Sequence, residues 1–490
     1  MIDYNQIKQR RNESWREELR KQYSPKERTT IERTKMPESD ITKRTASLTL
    51  EVNQGLSEQQ ALVEARRCLD CAKPSCMEGC PVEINIPSFI KNIERGEFKQ
   101  ADAVLRETSS LPAVCGRVCP QEKQCEAHCI YHTMKKEPVA IGYLERFAAD
   151  WTRNHTDVEP HLSIPHNGKK VAVVGSGPAG LSFAGDMAKE GYEVTVFEAL
   201  HEVGGVLRYG IPEFRLPNQV VDAEIKRLKS LGVSFETNTV IGATLSPEDL
   251  EKMGYVGIFI ASGAGLPNFM GIPGENYAGV MSSNEYLTRV NLMHAGTPDS
   301  ETPVFTGRCV AVIGGGNTAM DSVRTAKRLG AERAIIVYRR SEEEMPARLE
   351  EIHHAKDEGI EFLTLHNPIE YKADEIGRVN KMLLQKMQLG APDASGRCRP
   401  VPIEGAIEEI DVDVVIVSIG VSPNPSIPRR FSGLEVTDKG TLVVNDTNQT
   451  SLPYVFAGGD IVRGGATVIL AMGDGRRAAA AMHTYLSQQK

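Results

Sequence analysis

Residues 171–180 read VAVVGSGPAG, an apolar run followed by glycines in the spacing G-x-G-x-x-G. This pattern is typical of a strand, a tight turn and a helix whose N-terminus binds the pyrophosphate of a dinucleotide. The first glycine permits the turn, the second lets the phosphates approach the backbone, and the third lets the helix pack on the strand. The candidate binding residues are Gly175, Gly177, Pro178, Ala179 and Gly180. The stretch predicts a Rossmann-like domain.

A second strand of the same unit, Val194–Phe197, ends in Glu198, 18 residues after Gly180. A carboxylate at this position accepts hydrogen bonds from ribose hydroxyls. It therefore favours a nucleotide with a free 2′-hydroxyl, and FAD is the prediction for this site.

A second copy of the pattern, VAVIGGGNTA, occupies residues 310–319. Its following strand, Ala334–Tyr338, ends in two arginines where an acid would bind ribose. Guanidinium groups pair bidentately with phosphate, so this site is predicted to bind the 2′-phosphate of NADPH. NAD binding, or surface arginines at a strand end, are the alternatives. The candidate residues are Gly314, Gly315, Gly316, Asn317, Thr318, Arg339 and Arg340.

Cysteines are concentrated near the N-terminus, where eight of the ten lie within 129 residues: Cys68, Cys71, Cys76, Cys80, Cys115, Cys119, Cys125 and Cys129. Eight thiolates match the needs of two [4Fe-4S] clusters, and a proline follows both Cys80 and Cys119, as in ferredoxin-like runs. Structural zinc is the alternative, but zinc sites favour paired C-x2-C knuckles and this region has one.

Length and composition indicate a multidomain globular protein. The chain has 490 residues, 40% of them hydrophobic, and a formal net charge of −8. The acidic balance argues against a nucleic-acid partner, and no apolar run reaches the ~20 residues of a membrane helix. The charged N-terminus has no secretory signal pattern. We expect a cytoplasmic protein that does not bind a membrane.

The pattern predicts an α/β fold: a helical iron–sulfur domain followed by two Rossmann-like domains, with the NADP domain inserted in the FAD domain. The expected divisions are an N-terminal arm (1–50), a helical domain with two [4Fe-4S] clusters (51–165), the FAD domain (166–290 and 421–490) and the NADP domain (291–420). The arm carries twelve Lys/Arg and eight Asp/Glu. It is expected to be a solvated helical arm, with a partner-binding extension as the alternative.

The sequence resembles the glutamate synthase small-chain family from about Met36 to the C-terminus. The stretches that carry the resemblance are RRCLDCAKPSCMEGCPVEINIPSFI, LPAVCGRVCPQEKQCEAHC, VGGVLRYGIPEFRLP, VYRRSEEEMPAR and AGGD…ATVILAMGDGRRAA. Subunits of ferredoxin:NADP oxidoreductase and of sulfide dehydrogenase, and the N-terminal half of dihydropyrimidine dehydrogenase, are similar in the same motifs.

The resemblance implies further site residues. Gly204, Gly205 and Arg208 would line the flavin, and Asp460 would hold its ribityl chain. Ala261–Ala264 would lead the chain into the NADP domain. One cluster would use Cys68, Cys71, Cys76 and Cys129, and the other Cys80, Cys119 and Cys125. The fourth ligand of that second cluster stays open between Cys115, which the count of thiols favours, and Glu145.

The predicted function is electron input. NADPH would reduce FAD, and two [4Fe-4S] clusters would carry single electrons to a partner subunit. The resemblance implies a glutamate synthase large-subunit-like FMN protein as partner, in a hetero-oligomer, with glutamate made from 2-oxoglutarate and glutamine. The alternative is a subunit of a ferredoxin:NADP or sulfide-linked oxidoreductase, and a nucleotide-binding zinc scaffold is the non-enzymatic one. No single catalytic residue is assigned.

Overall fold

A computed structural model describes residues 3–155, 164–393 and 396–489. The N-terminal unit consists of short helices and loops: α1 (Tyr4–Arg11), α2 (Ser14–Gln22), α3 (Pro25–Arg28), α4 (Ile41–Thr45), α5 (Glu58–Arg66), α6 (Ser75–Glu78), α7 (Ile86–Glu94), α8 (Phe98–Arg106), α9 (Pro112–Val118) and α10 (Ile141–His155). Short 3-10 helices cover Gln121–Lys123 and Ile130–Met134. The sequence predicts helices wrapped around cysteines for residues 51–165, of which residues 156–163 lie outside the described part of the chain.

The expectation of a solvated N-terminal arm is correct only in part. Arg16, Arg28 and Arg44 from this segment are each at most 2% exposed. Arg16 and Arg20 both pair with Asp70, which lies between two cysteines of the first run. Because buried guanidinium groups need carboxylate partners, and these lie far away in the sequence, the arm packs on the helical unit. These buried arginines form internal ion pairs, while most other charged residues of the arm, such as Lys8, Glu17 and Lys26, are exposed.

The rest of the chain alternates between strands and helices. Its first part contains β1 (Lys170–Val174), α11 (Pro178–Lys189), β2 (Glu193–Phe197), α12 (Val206–Tyr209), α13 (Asn218–Ser230), β3 (Ser234–Glu236), α14 (Pro247–Lys252), β4 (Tyr255–Ile260), β5 (Leu266–Pro267), β6 (Val280–Ser282) and α15 (Ser283–Leu287), followed by a π-helix (Thr288–Leu292). Its second part contains β7 (Cys309–Ile313), α16 (Asn317–Arg328), β8 (Arg333–Tyr338), a 3-10 turn (Glu342–Glu344), α17 (Leu349–Asp357), β9 (Glu361–Thr364), β10 (His366–Ala373), β11 (Val379–Pro392), β12 (Cys398–Asp411), β13 (Val414–Val417), β14 (Val421–Ser422), α18 (Ser426–Arg430), β15 (Val455–Ala457), α19 (Asp460–Arg463) and α20 (Val468–Ser487).

Two parallel sheets form the nucleotide-binding units. The first has the strand order β15-β4-β1-β2-β3, and the second has the order β6-β13-β7-β8-β9. All strands of the second sheet come between β4 and β15 in the chain, so one unit is inserted in the other, as predicted. The strand β6 belongs to the second sheet, pairing with β13. The expected boundary at residues 290 and 291 therefore separates β6 from the sheet to which it is hydrogen-bonded.

An antiparallel sheet, with the order β10-β11-β12, extends from the second unit and is not foreseen in the sequence analysis. Its central strand has Val379, Met382 and Leu384 in the core. Val379 and Met382 are three residues apart because the pairing of β10 with β11 has a register shift between them, so β11 does not keep the regular period of two of a half-buried strand. Within the described residues, none of the helices is long and apolar enough to cross a membrane.

Candidate functional site

Both glycine motifs open into one cleft of about 1920 Å³ between the two parallel sheets. A pocket for one small ligand usually measures about 300–1,000 Å³, so the cleft has room for more than one. Its wall includes these predicted residues: Gly175, Gly177, Pro178, Ala179, Glu198, Gly205 and Asp460 from the first set, and Gly314, Gly315, Gly316, Asn317, Thr318, Arg339 and Arg340 from the second. The structure therefore brings the two predicted nucleotide sites together.

The first motif has the backbone that a dinucleotide site needs. Gly175 has φ +102°, and a Cβ there would lie 2.5 Å from the Ala261 carbonyl oxygen. A Cβ on Gly180 would lie 2.1 Å from the Gly175 carbonyl oxygen, so this position permits close packing of α11 on β1. Gly177 has nothing within 4 Å of an added Cβ. That open space lies at the N-terminus of α11, where pyrophosphate would bind.

Glu198 connects the end of β2 to this glycine turn. Its carboxylate is buried and accepts hydrogen bonds from the Ser176 backbone N–H at 2.9 Å and the Ser176 hydroxyl at 2.5 Å. A third bond comes from the Leu200 N–H at 2.9 Å. The acid therefore holds the turn in place as well as lining the cleft. Ser176 was not singled out from the sequence, and its position inside the glycine motif is the signal that marks it.

Of the remaining residues predicted to contact the flavin, only some line the cleft. Asp460 lies on the cleft wall, where burial together with the nearby Asp474 carboxylate raises its pKa to about 6. Gly204 and Arg208 are not part of the described cleft wall. Gly204 donates its N–H to the Ser176 hydroxyl at 2.9 Å, and Arg208 pairs with Glu202 at 3.0 Å and with Asp222. Gly204 therefore supports the glycine turn through Ser176, whereas Arg208 is held by two acidic side chains outside the cleft wall.

The second motif repeats the geometry of the first. Gly314 has φ +143°, and an added Cβ would lie 2.2 Å from the Ser418 carbonyl oxygen. Gly316 has nothing within 4 Å of an added Cβ and precedes α16 directly. The motif therefore presents an open helix N-terminus to the cleft, as the first one does.

The two arginines after β8 have different environments. Arg340 is 6% exposed, donates to the Cys398 carbonyl oxygen at 2.8 Å and pairs with Asp393 at 3.0 Å. Arg339 is exposed and lies on the cleft wall. The guanidinium of Arg339 is thus the better placed of the two for a nucleotide phosphate, while Arg340 holds the β11–β12 hairpin.

Four of the predicted cluster ligands, Cys68, Cys71, Cys76 and Cys129, line one small cavity. We call them the outer cysteine group, because Cys71, Cys76 and Cys129 are partly exposed. The other lining residues are largely apolar, including Ile86, Ile90 and Tyr131. Burial raises the pKa of Cys68 to about 12. A cavity walled by four thiols and apolar side chains fits an iron–sulfur cluster.

The other four, Cys80, Cys115, Cys119 and Cys125, are all buried, and we call them the inner cysteine group. Each interacts electrostatically with the Glu145 carboxyl group, which α10 directs toward them. Glu145 is 5% exposed, and its Oε1 has no hydrogen-bond partner. A buried oxygen without a partner needs a physical reason, and a bound cation is one. The inner group thus fits a cluster with either Cys115 or Glu145 as the additional ligand.

The described residues contain no group of three or more His, Cys, Asp or Glu side chains that could hold a single metal ion. The inner group does adjoin the nucleotide cleft. Val118 and Pro120, the neighbours of Cys119, both lie on the cleft wall.

Two families match the chain. Residues 45–157 match dihydropyrimidine dehydrogenase domain II, 4Fe-4S cluster, and residues 169–475 match pyridine nucleotide-disulphide oxidoreductase. The fold resembles FprA from Mycobacterium tuberculosis in complex with NADPH, with a TM-score of 0.55 and 20% identity over 66% of this chain and 85% of that one.

Similar proteins include the glutamate synthase [NADPH] small chain of Azospirillum brasilense, 36% identical over 89% of this chain and 91% of the relative. The corresponding small chain of Escherichia coli K12 is 34% identical over 89% of this chain and 94% of its own length. The NADP(+)-dependent formate dehydrogenase subunit beta of Moorella thermoacetica is 38% identical over 84% of this chain, which spans 60% of that protein.

Proposed function

Because the chain belongs to the glutamate synthase small-chain family, in which an iron–sulfur domain precedes a pyridine nucleotide-disulphide oxidoreductase, we propose that it supplies electrons from NADPH for glutamate synthesis. The chain is an NADPH-dependent oxidoreductase subunit that works with a partner. The proposed reaction of the complex converts 2-oxoglutarate and glutamine to glutamate. The observation that carries the proposal is the shared cleft that adjoins the inner cysteine group.

When bound, the nicotinamide supplies a hydride, the flavin separates it into single electrons, and the clusters carry those electrons onward. The chain's own residues determine where each group lies. Gly175, Gly177 and Glu198 would hold FAD, and Gly314, Gly316 and Arg339 would hold NADPH. Because both sets face one cleft, the residues of this chain would hold the two nucleotides in the same cavity.

The burial of the cysteines supports an order for the clusters. The inner cysteine group is buried beside the cleft, whereas the outer cysteine group has partly exposed members. The Cys80 thiol lies at the end of the run that begins with the outer group, so the two groups are close in the chain. We therefore place the inner group next to the flavin and the outer group at the exit toward the partner.

The surface beside the outer group suits a protein partner. Ile130 lines the cluster cavity and is 39% exposed, and Met134 is equally exposed one turn further on. Lys135 and Lys136 follow, and Lys73 is exposed in the first cysteine run. An apolar centre with a basic rim matches an electron-accepting subunit that has acidic residues around its own redox centre.

The test is to purify the chain with its native partner without oxygen and supply NADPH. We expect NADPH oxidation and glutamate formation that depend on both 2-oxoglutarate and glutamine.

The similarity to a formate dehydrogenase subunit supports the second candidate, an electron-input subunit of another oxidoreductase. NADPH oxidation coupled to ferredoxin or to another acceptor, with no glutamate formed, would replace the first proposal with the second.

A further inference from the structure

Arg348 connects the second glycine motif to the inner cysteine group. It directly precedes α17, and the residue is 4% exposed. Its backbone N–H donates to the Asn317 Oδ1 at 2.9 Å, and the preceding Ala347 N–H donates to the Gly315 carbonyl oxygen at 3.2 Å. Gly315 and Asn317 are both on the cleft wall, at the N-terminus of α16. The backbone of Arg348 is therefore bonded to the proposed NADP phosphate site.

The guanidinium of the same residue reaches the cysteine-rich unit. One nitrogen donates to the Arg117 carbonyl oxygen at 2.9 Å, and another to the Gln121 Oε1 at 2.8 Å. Gln121 in turn donates its backbone N–H to the Cys119 carbonyl oxygen at 2.9 Å and its side-chain amide to the Cys115 carbonyl oxygen at 3.3 Å. Asn317 and the backbone of the inner cysteine group are thus joined through two side chains.

The connection is tightly packed at its far end. A Cβ added to Gly142 would lie 2.2 Å from the Gln121 amide nitrogen, so Gln121 has no space in which to absorb a shift. Lys123, two residues further on, donates to the Pro346 carbonyl oxygen at 3.0 Å. A displacement of residues 346–348 is therefore passed to residues 117–123 rather than lost in a flexible side chain.

We propose that Arg348 is a positioning residue that couples NADP binding at the second glycine motif to the redox potential of the cluster in the inner cysteine group. The inference rests on the proposed function. A nucleotide phosphate bound at the N-terminus of α16 lies beside Asn317. It disturbs the hydrogen bond from the Arg348 N–H to the Asn317 Oδ1 and so moves the Arg348 backbone. The Arg348 guanidinium then changes its bonds to the loop that carries Cys119. By thermodynamic reciprocity, the oxidation state of the cluster alters NADP⁺ affinity by the same factor.

The test compares NADP⁺ dissociation constants of the oxidised and the dithionite-reduced holoprotein, and the potential of the inner cluster with and without NADP⁺. We expect the two dissociation constants to differ at least about fivefold, the lower end for coupled sites. For a one-electron couple, fivefold corresponds to about 41 mV, at 59 mV per tenfold. In Arg348→Met, which keeps the side-chain length and loses every donor, the difference should vanish. Arg333→Met is the matched control, because Arg333 is in the same unit and its partner, Glu361, is exposed.

Two further variants keep the result interpretable. Arg348→Lys retains the charge without the forked donors and should behave like Arg348→Met. Gln121→Leu breaks the connection from the other side and should also remove the coupling, even if Arg348→Met does not load its clusters. If NADP⁺ still shifted the potential of the inner cluster in Gln121→Leu and Arg348→Lys, the shift would come from the electric field of the bound phosphates. That result would overturn the proposal. So would equal dissociation constants in the unmodified protein. Either result leaves glutamate formation untouched, and loss of glutamate formation leaves the coupling measurable.

Discussion

The Sγ of Cys115 lies 3.4 Å from the Sδ of Met472. Cys115 is on α9 of the cysteine-rich unit, whereas Met472 is on α20, which follows the last strand of the first parallel sheet. Ala471, its neighbour, lies on the cleft wall, as do Val118 and Pro120 from the other side. A single layer of side chains therefore separates the inner cysteine group from the proposed flavin site. Electrons would cross this layer when they leave the flavin.

Replacing the second glycine of one motif with alanine should impair nucleotide binding at that motif and leave the other site intact. Gly177→Ala and Gly316→Ala place a methyl group in open space at a negative φ, so both variants should fold. The methyl group takes the place where pyrophosphate approaches the backbone. We expect Gly177→Ala to lose FAD, measured by visible absorbance, and Gly316→Ala to lose at least about tenfold in NADP⁺ affinity, about 1.4 kcal/mol.

Each glycine variant is the control for the other. Gly180→Ala should instead fail to fold, because its Cβ would lie 2.1 Å from a backbone oxygen. A Gly177→Ala protein that keeps its full complement of FAD would contradict the assignment of the first motif.

Nicotinamide choice should depend on Arg339 more than on Arg340. Losing a hydrogen bond to a charged group costs about 1.5–3 kcal/mol, so Arg339→Ala should raise the KM for NADPH at least about tenfold and spare NADH. Arg340→Ala should change it less, since both of its bonded groups belong to the hairpin. Steady-state kinetics with both nucleotides decide this, with Arg333→Ala as control. Equal losses with NADPH and NADH would rule out a 2′-phosphate contact.

Removing a ligand from the outer cysteine group should stop electron exit but not hydride entry. We expect Cys71→Ala to hold about half of the iron and acid-labile sulfide, because one of the two proposed [4Fe-4S] clusters is lost. NADPH should still bleach the flavin under anaerobic conditions, while transfer to the partner stops. Cys398→Ala, a cysteine outside both groups, should behave as the unmodified protein. Loss of flavin bleaching in a protein that retains FAD would contradict the proposed order.

The additional ligand of the inner group is decided by a second pair of variants. The count of thiols favours Cys115, but the unpartnered Oε1 of Glu145 makes the stronger structural case for the carboxylate. We expect Glu145→Leu to lower iron content or shift the potential of one cluster, and Cys115→Ser to leave both unchanged. Iron analysis and EPR spectroscopy measure these effects. The reverse pattern would assign the ligand to Cys115.

Asp70 should be important for the attachment of the N-terminal arm. Its carboxylate pairs with Arg16 and with Arg20, the latter at 2.5 Å. Breaking a buried ion pair costs about 3–5 kcal/mol, and asparagine tolerates the φ of +52° found at this position. Asp70→Asn should therefore lower the free energy of unfolding by about that amount. Glu107→Gln, which breaks the exposed pair with Arg10, should cost less than about 1 kcal/mol. Similar effects of the two changes in thermal unfolding would mean that Asp70 does not anchor the arm.

The nucleotide motifs were predictable because each depends on neighbours in the sequence. Gly175, Gly177 and Gly180 determine a turn and a helix start by their spacing, and the structure has β1 and α11 at those places. The antiparallel sheet is harder to predict, because a register shift interrupts the alternation of buried residues along β11.

Other features depend on contacts between distant residues, which spacing cannot indicate. Arg16 and Asp70 are 54 positions apart, and Arg348 reaches Gln121 across 227. The three residues of β6 are too few for a pattern, and their place in the second sheet is determined by pairing with β13. The carboxylate of Glu145 becomes informative only when its surroundings show that it has no partner.

Because one nucleotide-binding unit is inserted in the other, the two units are completed in a fixed order during synthesis. Residues 3–155 are made before both nucleotide-binding units and contain every cysteine of both groups, so we expect that cluster insertion can begin while the ribosome is still translating the inserted unit. The first parallel sheet is completed only when β15 joins β4, after the whole second sheet has emerged. The proposed flavin site therefore forms late, and Met472 contacts Cys115 only after that, when α20 has been made and packs. Because α20 covers the inner group at Cys115, we expect iron and sulfide to enter this group before α20 packs against α9.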